Sequence, residues 1–341
     1  MGRGRRSGAG GEGGGVTALQ RTLVTGGSGF IGTNVVAALL ARGAAVCSID
    51  HLPPRTPAHA GVFRRVDICD AAALAAAIDD FRPGTIIHLA ARTDLLGNSV
   101  DDYAANTRGT AALIDVVSAR PQIGRTLFAS SMLVCRLGYL PQSVTDYAPS
   151  TAYGASKVEA ERLVRAADPS RRRIILFRPT SIWGPWFGEP YRNFFDAVVG
   201  GRYVHPTGAA TRRSYGYIEN AVAQIMALAD ADAARLGDCL YHLADYAPVD
   251  IGVWADMIAE AAGRRRPIRV PMAVMHAAAL AGDTLKALGW QRPPMTRFRL
   301  ANMTMDAVQD TGPMAALCPD LPVTLAEGVA RTVAWMRANA G

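Results

Sequence analysis

The chain has 341 residues, half of them apolar, five cysteines and a formal net charge of +7. That length can bury a sizeable core, as one large domain or two closely joined ones, and excludes a small disulfide-stapled scaffold. Cys47, Cys69, Cys135, Cys239 and Cys318 are scattered and odd in number, with no Cys-x-x-Cys. Reduced cytosolic thiols explain them better than a disulfide framework or a zinc site.

Met1–Gly15 is rich in Gly and Arg and lacks the apolar region of a signal peptide. It reads as a disordered tail outside the fold. The longest apolar run, Val270–Gly282, is closed by Asp283 and is too short to span a bilayer. No membrane partner is therefore expected, and the location is expected to be cytoplasmic. The arginines fall in small groups (Arg171–Arg173, Arg212–Arg213, Arg264–Arg266) without interleaved aromatics. A solvated surface, or an anionic small substrate, accounts for the charge better than nucleic acid does.

Gln20–Thr25 reads as a strand that runs into Thr25-Gly-Gly-Ser-Gly-Phe-Ile-Gly32, with an apolar helix from Phe30 to Ala41. Gly27, Gly29 and Gly32 satisfy G-x-G-x-x-G, and Gly26, Gly29 and Gly32 satisfy G-x-x-G-x-x-G. Between a strand and a helix, such glycines permit a tight turn and close approach of a pyrophosphate to the helix N-terminus. The next strand, Ala45–Ile49, ends at Asp50, where an acidic residue would bind the adenosine ribose of NAD and repel a 2′-phosphate. Arg55 nearby leaves NADP open.

Asp67-Ile68 is expected to close a third strand, with a helix over Ala71–Phe81 and a buried strand over Thr85–Ala91. Asn106 and Gly109 fall in a helix continuing through Leu113 and Val117, where Gly109 suggests close packing. His88 reads as a packed core histidine, since no second ligand stands at metal-ligand spacing. Arg125–Ser130 is a strand that delivers Ser130-Ser131 to its C-terminal end. A helix over 151–166, a strand over Arg173–Phe177 and the loop Arg178–Pro185 follow. This alternation predicts an α/β fold, a Rossmann-type doubly wound parallel sheet, whose ligands sit at the carboxyl ends of the strands. Gly26–Gly32, Asp50, Ala90–Thr93, Ser130–Ser131 and Arg178–Pro185 all fall there.

Tyr153 and Lys157, in Thr151-Ala-Tyr-Gly-Ala-Ser-Lys, lie one helical turn apart on one face. A cation beside a phenol favours its phenolate, and could bring its titration from ~10 toward neutral pH. An ordinary exposed Tyr/Lys pair is the bland alternative; the upstream motifs favour a site.

Taken together, Thr25–Gly32, Asp50, Asp67-Ile68, His88–Ala91, Asn106–Thr110, Ser130–Val134, Tyr153–Lys157 and Arg178–Pro185 resemble the extended short-chain dehydrogenase/reductases, specifically the NAD-dependent epimerase/dehydratase family. The resemblance runs from about Arg21 to Trp335. It implies Tyr153 as acid/base, Lys157 as the group that lowers its pKa and holds the nicotinamide ribose, and Ser131 as hydrogen-bond partner of the reacting oxygen. It implies NAD contacts from Gly26, Gly29, Phe30, Ile31, Gly32, Asp50, Asp67, Ile68, Leu89, Ala90, Ala91, Asn106 and Pro179 as well. Substrate contacts are implied at Thr93, Ser131, Met132 and Tyr203, and at Arg213 as the grip on a nucleotide-sugar diphosphate.

The departures from the family pattern are specific. Cys135-Arg136 stand where Tyr-Gly is usual, and Cys135 reads as structural. Met132-Leu133 stand where 4,6-dehydratases carry Asp-Glu, which argues against dehydration. The resemblance therefore implies hydride transfer at a secondary alcohol of a nucleotide sugar, with epimerisation through a keto intermediate. The alternatives are a dehydrogenase or reductase of a sugar, sterol or other secondary alcohol, and a non-catalytic NAD sensor.

The expected organisation is a tail over 1–15, a dinucleotide-binding part over 16–183, and a smaller substrate lobe over 184–341 with possible returns to the sheet. Helices are expected over Tyr191–Gly200, Glu219–Leu228, Asp250–Ala262 and Val323–Ala338. Trp183, Trp186, Phe187, Tyr191, Arg192 and Phe194 read either as an aromatic-rich entry to that lobe or as core aromatics, the core reading being preferred for Phe194 and Phe195, with Tyr203, His205 and Arg213 as polar specificity candidates. By resemblance, subunits pair as a homodimer through Tyr103–Ala119 and Ala152–Ala166.

Overall fold

The computed structural model describes residues 21–167, 174–208, 211–237, 240–290 and 295–339. The proposed tail, Gln20, Arg171–Arg173 and Cys239 lie outside the described residues. Strands and helices alternate through the first half of the chain: β1 (Arg21–Thr25), α1 (Phe30–Ala41), β2 (Ala45–Asp50), β3 (Phe63–Arg65), α2 (Ala71–Phe81), β4 (Thr85–His88), α3 (Ala104–Ser118), β5 (Arg125–Ala129), α4 (Ala152–Ala167) and β6 (Ile174–Pro179). The second half holds shorter elements: β7 (Ser181–Trp183), α5 (Tyr191–Val199), β8 (Val204–Pro206), β9 (Arg212–Arg213), β10 (Tyr215–Tyr217), α6 (Ile218–Asp230), β11 (Tyr241–Leu243), β12 (Val249–Asp250), α7 (Ile251–Ala261), β13 (Ile268–Val270) and helices α8 (Met272–Ala287), α9 (Arg297–Thr304), α10 (Gly312–Leu317) and α11 (Leu325–Ala338).

The central sheet has seven strands in the order β11-β6-β5-β4-β1-β2-β3, every pair parallel. Strands buried on both faces carry continuous apolar runs, and their alternate side chains feed two separate cores. Val24, Val46, Ile87, Leu127 and Ile175 point to the core shared with α1 and α6. Leu23, Cys47, Ile49, Ile86 and Phe128 point to the core shared with α2, α3 and α4. The order reverses between β1 and β4, which opens the crevice where a doubly wound sheet takes its ligand.

The expected α/β fold is therefore present, with adjusted boundaries. The third strand closes at Arg65, so Asp67-Ile68 lie in the turn beyond it. There Asp67 Oδ1 accepts from the Cys69 amide at 2.9 Å, a local bond that competes with strand pairing. The fourth strand stops at His88, before Leu89–Ala91. The chain does return to the sheet, because β11 pairs with β6.

Three small two-stranded pairs build the other lobe: β7 with β10, β9 with β12, and β8 with β13. Trp183, Phe195 and Trp254 are fully buried there and packed ring against ring. Trp183 and Phe187 are thus core residues and do not line an approach. Their apolar area is worth more inside than at a wet rim. Trp186 instead turns with φ +74 and sets its ring against Trp335.

Candidate functional site

The glycine turn after β1 is built by close approach. Gly26 has φ +70, and a Cβ there would stand 2.5 Å from the Ala90 amide nitrogen. At Gly32 a Cβ would stand 2.1 Å from the Gly26 carbonyl oxygen. Any larger residue would push the loop after β4 off the turn or lift α1 from it. No side chain caps α1, and its first turn holds no acid. Its N-terminal amides and the positive end of its dipole are therefore available to an anion, as a pyrophosphate requires.

Asp50 closes β2 at the rim of this turn. Its two oxygens accept from the amides of Ser28 and Leu52, each at 3.0 Å, and the carboxylate is 8 % exposed. This fixed anion keeps lone pairs for a ribose diol and opposes a 2′-phosphate. Arg55 donates to the carbonyls of Ser28 (2.8 Å) and Trp186 (2.7 Å), so its guanidinium is committed to the backbone. The residues present thus fit NAD.

The loop after β4 rests on the same turn. Leu89 donates to the Thr25 carbonyl and Ala90 to the Thr25 hydroxyl oxygen. Asn106, fully buried on α3, accepts from the Arg92 amide at 2.9 Å. It donates to the Arg92 carbonyl (3.0 Å) and to the Ser156 hydroxyl (2.9 Å). Asn106 therefore ties Ala91-Arg92 to the start of α4, and its amide is spent on protein groups. Ile68 packs on Gly109, where a Cβ would stand 2.6 Å from Ile68 Cδ1, so the close packing expected of that glycine is real. His88 is buried, with Nδ1 2.7 Å from the Thr25 hydroxyl; burial and the nearby Lys157 charge hold its pKa down to about 3. It is a neutral core histidine.

Ser131, Tyr153 and Lys157 come together at the end of β5 and the start of α4. Ser131 accepts from the Leu133 amide at 3.1 Å, and its hydroxyl stands near enough to the Tyr153 phenol to favour the phenolate. Gly154 lets α4 close on this loop, since a Cβ there would stand 2.3 Å from the Leu133 carbonyl oxygen. Lys157 Nζ donates to the Ala129 carbonyl at 3.0 Å. Burial lowers its pKa to about 8, with Glu161 acting against that shift.

The Tyr153 phenol departs from expectation. Burial pushes it up to about 12, and the Ser131 hydrogen bond offsets this only in part. In the cofactor-free protein desolvation outweighs any help from Lys157, whose ammonium is turned to a carbonyl.

One functional neighbour was missed. Glu161, a helical turn beyond Lys157, forms a buried two-pronged ion pair with Arg178 of β6 at 2.6 and 2.8 Å. Tyr147 donates to the same carboxylate at 2.9 Å. The signal was available: Tyr153, Lys157 and Glu161 recur every four residues, so a carboxylate must share the buried face and needs a partner.

On the substrate side, the Met132 thioether Sδ accepts from the Ser181 hydroxyl at 3.9 Å, and Tyr191 donates to that same hydroxyl. Thr93 is exposed beside Leu95 and Leu96, and Pro179 closes β6 opposite Leu243. Tyr203 lies deeper than expected, its hydroxyl 3.0 Å from His205 Nδ1 and its ring against Phe194. Arg213 donates from Nε to the Met305 carbonyl at 3.1 Å, and its charge favours the ionised form of the Tyr215 phenol, whose pKa burial raises. Met305 itself packs over Gly138. Among the described residues no cluster of His, Cys, Asp and Glu could hold a metal ion.

A Rossmann-type sheet with a glycine turn, an acid at the end of β2, and Ser131, Tyr153 and Lys157 gathered beyond β5 fits one class: NAD-dependent oxidoreductases and epimerases of the extended short-chain dehydrogenase/reductase type. The comparisons agree. The profile of the NAD dependent epimerase/dehydratase family matches residues 22–241, and the chain belongs to that family.

Among relatives, a 3β-hydroxysteroid dehydrogenase/Δ5→4-isomerase of Mycobacterium tuberculosis is 33% identical over 269 residues, covering 74% of this chain and 72% of that one. A dTDP-L-rhamnose 4-epimerase of Burkholderia thailandensis is 28% identical over 230 residues, covering 53% and 62%. The structure of a UDP-glucose 4-epimerase from Thermus thermophilus, complexed with NAD, superposes with a TM-score of 0.69 at 23% identity, covering 94% of this chain and 99% of that one. That likeness shows the fold.

Proposed function

We propose that this protein is an NAD-dependent dehydrogenase of a secondary alcohol carried on an apolar ring substrate, of the hydroxysteroid kind. The observation that carries the reading is the apolar Met132-Leu133 pair directly after Ser131. Elsewhere in the smaller lobe, Arg213 is held by the Met305 carbonyl. With Nε bound to that carbonyl, Arg213 cannot offer its Nε edge to a diphosphate. The hydroxysteroid relative supports the same reading.

In this reading Ser131 binds the substrate hydroxyl and Tyr153 takes its proton. Lys157, positive at neutral pH, stabilises the phenolate and orients the nicotinamide ribose. Asp50 and the turn from Gly26 to Gly32 hold the other end of the dinucleotide. NAD, when bound, supplies the acceptor for the hydride leaving the carbinol carbon. Tyr153 must be deprotonated before it can act as a base, and a phenol near 12 is a proton donor at neutral pH. Base catalysis at neutral pH therefore needs more positive charge beside the phenol than Lys157 supplies from its bond to the Ala129 carbonyl.

A second reading, epimerisation of a nucleotide sugar, is favoured by the rhamnose epimerase relative and uses the same Ser/Tyr/Lys set. Cofactor turnover separates the two. Purified protein given NAD and a 3β-hydroxysteroid is expected to accumulate NADH and the ketosteroid. Conversion of a nucleotide sugar without net NADH, and no reaction with the steroid, would overturn the dehydrogenase reading.

A further inference from the structure

Helix α8 is amphipathic the wrong way round for a helix facing water. Met275, Ala279 and Gly282 turn inward, where Met275 and Ala279 pack with Leu300 of α9. At 100° per residue the opposite half presents Val274, Ala277, Ala281, Leu285 and Leu288, and Thr284 is its one polar residue. His276 and Lys286 are exposed and Asp283 is half-buried, all three at or beyond the edges of that half. Val274 is 54 % exposed, Leu288 79 %, and Trp290, just past the helix, 51 %. An ordinary surface helix places its apolar stripe inward and its charges outward.

The charge around this helix is equally one-sided. Residues 264–299 contain eight Lys or Arg against the single Asp283, a net +7, which equals the net charge of the whole chain. Everything else in the sequence is balanced. Arg264, Arg265 and Arg266 are exposed immediately ahead of β13 and α8, and Arg297 is exposed just after. Arg297 pairs with Asp283, Arg269 with Asp256 at 2.7 Å and Arg266 with Glu260 at 3.8 Å, and Arg264 and Arg265 stay exposed beside them, so the flank remains cationic.

We propose that α8 is a docking helix for an anionic lipid surface: its uncharged outer face seats among the acyl chains while the flanking arginines meet the headgroups and Trp290 sits at the boundary between them. The combination of an apolar face, cationic flanks and a terminal tryptophan is what an in-plane interfacial helix requires. The occupant follows from charge. A second copy of the chain would bring two segments of +7 together, whereas an anionic bilayer complements one. The helix lies on the surface and does not cross it. Its 16 residues rise ~24 Å, short of the ~30 Å hydrocarbon core, and no helix among the described residues is long and apolar enough to span. This surface contact departs from the sequence-based expectation of no membrane partner.

The test is flotation of the full-length protein with phosphatidylcholine vesicles, with and without phosphatidylglycerol. Wild type is expected to float with the phosphatidylglycerol vesicles and to be released by salt. Leu285→Asp with Leu288→Asp is expected to reduce that binding about tenfold or more, both positions being on the exposed face. A second variant, Arg264→Gln with Arg265→Gln and Arg266→Gln, leaves the apolar face intact and is expected to weaken binding to a similar degree. Thermal unfolding with and without NAD checks that each variant is folded. The proposal is overturned if wild type floats with neither vesicle, or if both variants float as well as wild type. It is also overturned if the aspartate variant abolishes a self-association seen without lipid, which would assign the face to a second copy.

Discussion

At the residue scale, the chemistry of the site is set by how deeply its titrating groups are buried. Tyr153 and Lys157 are 7 % and 5 % exposed, and burial shifts the two in opposite directions, the phenol up and the ammonium down. Both shifts favour neutral forms. Replacing Tyr153 by Phe removes the proton-transfer group and leaves the packing against Tyr103 in place. Turnover is expected to fall about 10²- to 10⁴-fold, with the NAD dissociation constant nearly unchanged. Equal activity in the variant would remove Tyr153 from the mechanism.

Lys157 makes a separate prediction about stability. Its pKa is lowered from the ordinary lysine value to about 8 in the folded, cofactor-free protein. The unfolded chain then binds the proton more tightly than the folded one, so the charge costs stability at every pH below about 8. That cost is relieved as pH rises from about 8 toward the ordinary lysine value. Relative to Lys157→Met, wild type is expected to gain on the order of 2 kcal/mol between pH 7 and pH 10, read by urea denaturation at each pH. A constant difference across that range would mean that Lys157 is not desolvated.

At the element scale, the glycine turn and the alternation of strands and helices were readable in the sequence because their causes are local. Gly26 needs a left-handed φ, Gly32 needs close approach, and each strand announces itself by a short apolar run. The end of the third strand was misjudged because Asp67 satisfies the Cys69 amide by itself, a choice no hydrophobic pattern records. The Glu161–Arg178 pair was missed for a different reason. Its partners sit on α4 and β6, and only the assembled sheet brings them within 2.6 Å.

That pair anchors the helix carrying Tyr153 and Lys157 to the strand beside β5. Both side chains are essentially inaccessible, so Glu161→Gln leaves the Arg178 cation uncompensated in the interior. Such a loss costs roughly 3–5 kcal/mol. Replacing Arg178 by Met in the same chain is expected to restore part of it, since the orphan charge is then gone. A urea midpoint for Glu161→Gln equal to that of wild type would show that the pair is not a fold determinant.

At the scale of the whole molecule, the described surface holds one further pair of elements with their outer faces open. Helices α3 and α4 pack side by side against the sheet. The outer stripe of α3 runs Arg108, Ala111, Asp115 and Ser118, and that of α4 runs Ala155, Glu159, Arg162 and Ala166. Each stripe mixes small residues with both charge signs. Across a two-fold axis, small residues let helices approach closely and an acid on one copy can meet an arginine on the other.

These faces carry no excess of positive charge, unlike the segment that flanks α8, so self-association and lipid contact would use different surfaces. The protein is expected to sediment at twice the chain mass, and Ala111→Arg with Ala155→Arg is expected to give the single-chain mass while still binding NAD. The glycine turn and Asp50 lie on other elements, so retained NAD affinity separates a lost interface from a lost fold. A wild-type protein that sediments as one chain at assay concentration would leave these stripes as solvated helix faces.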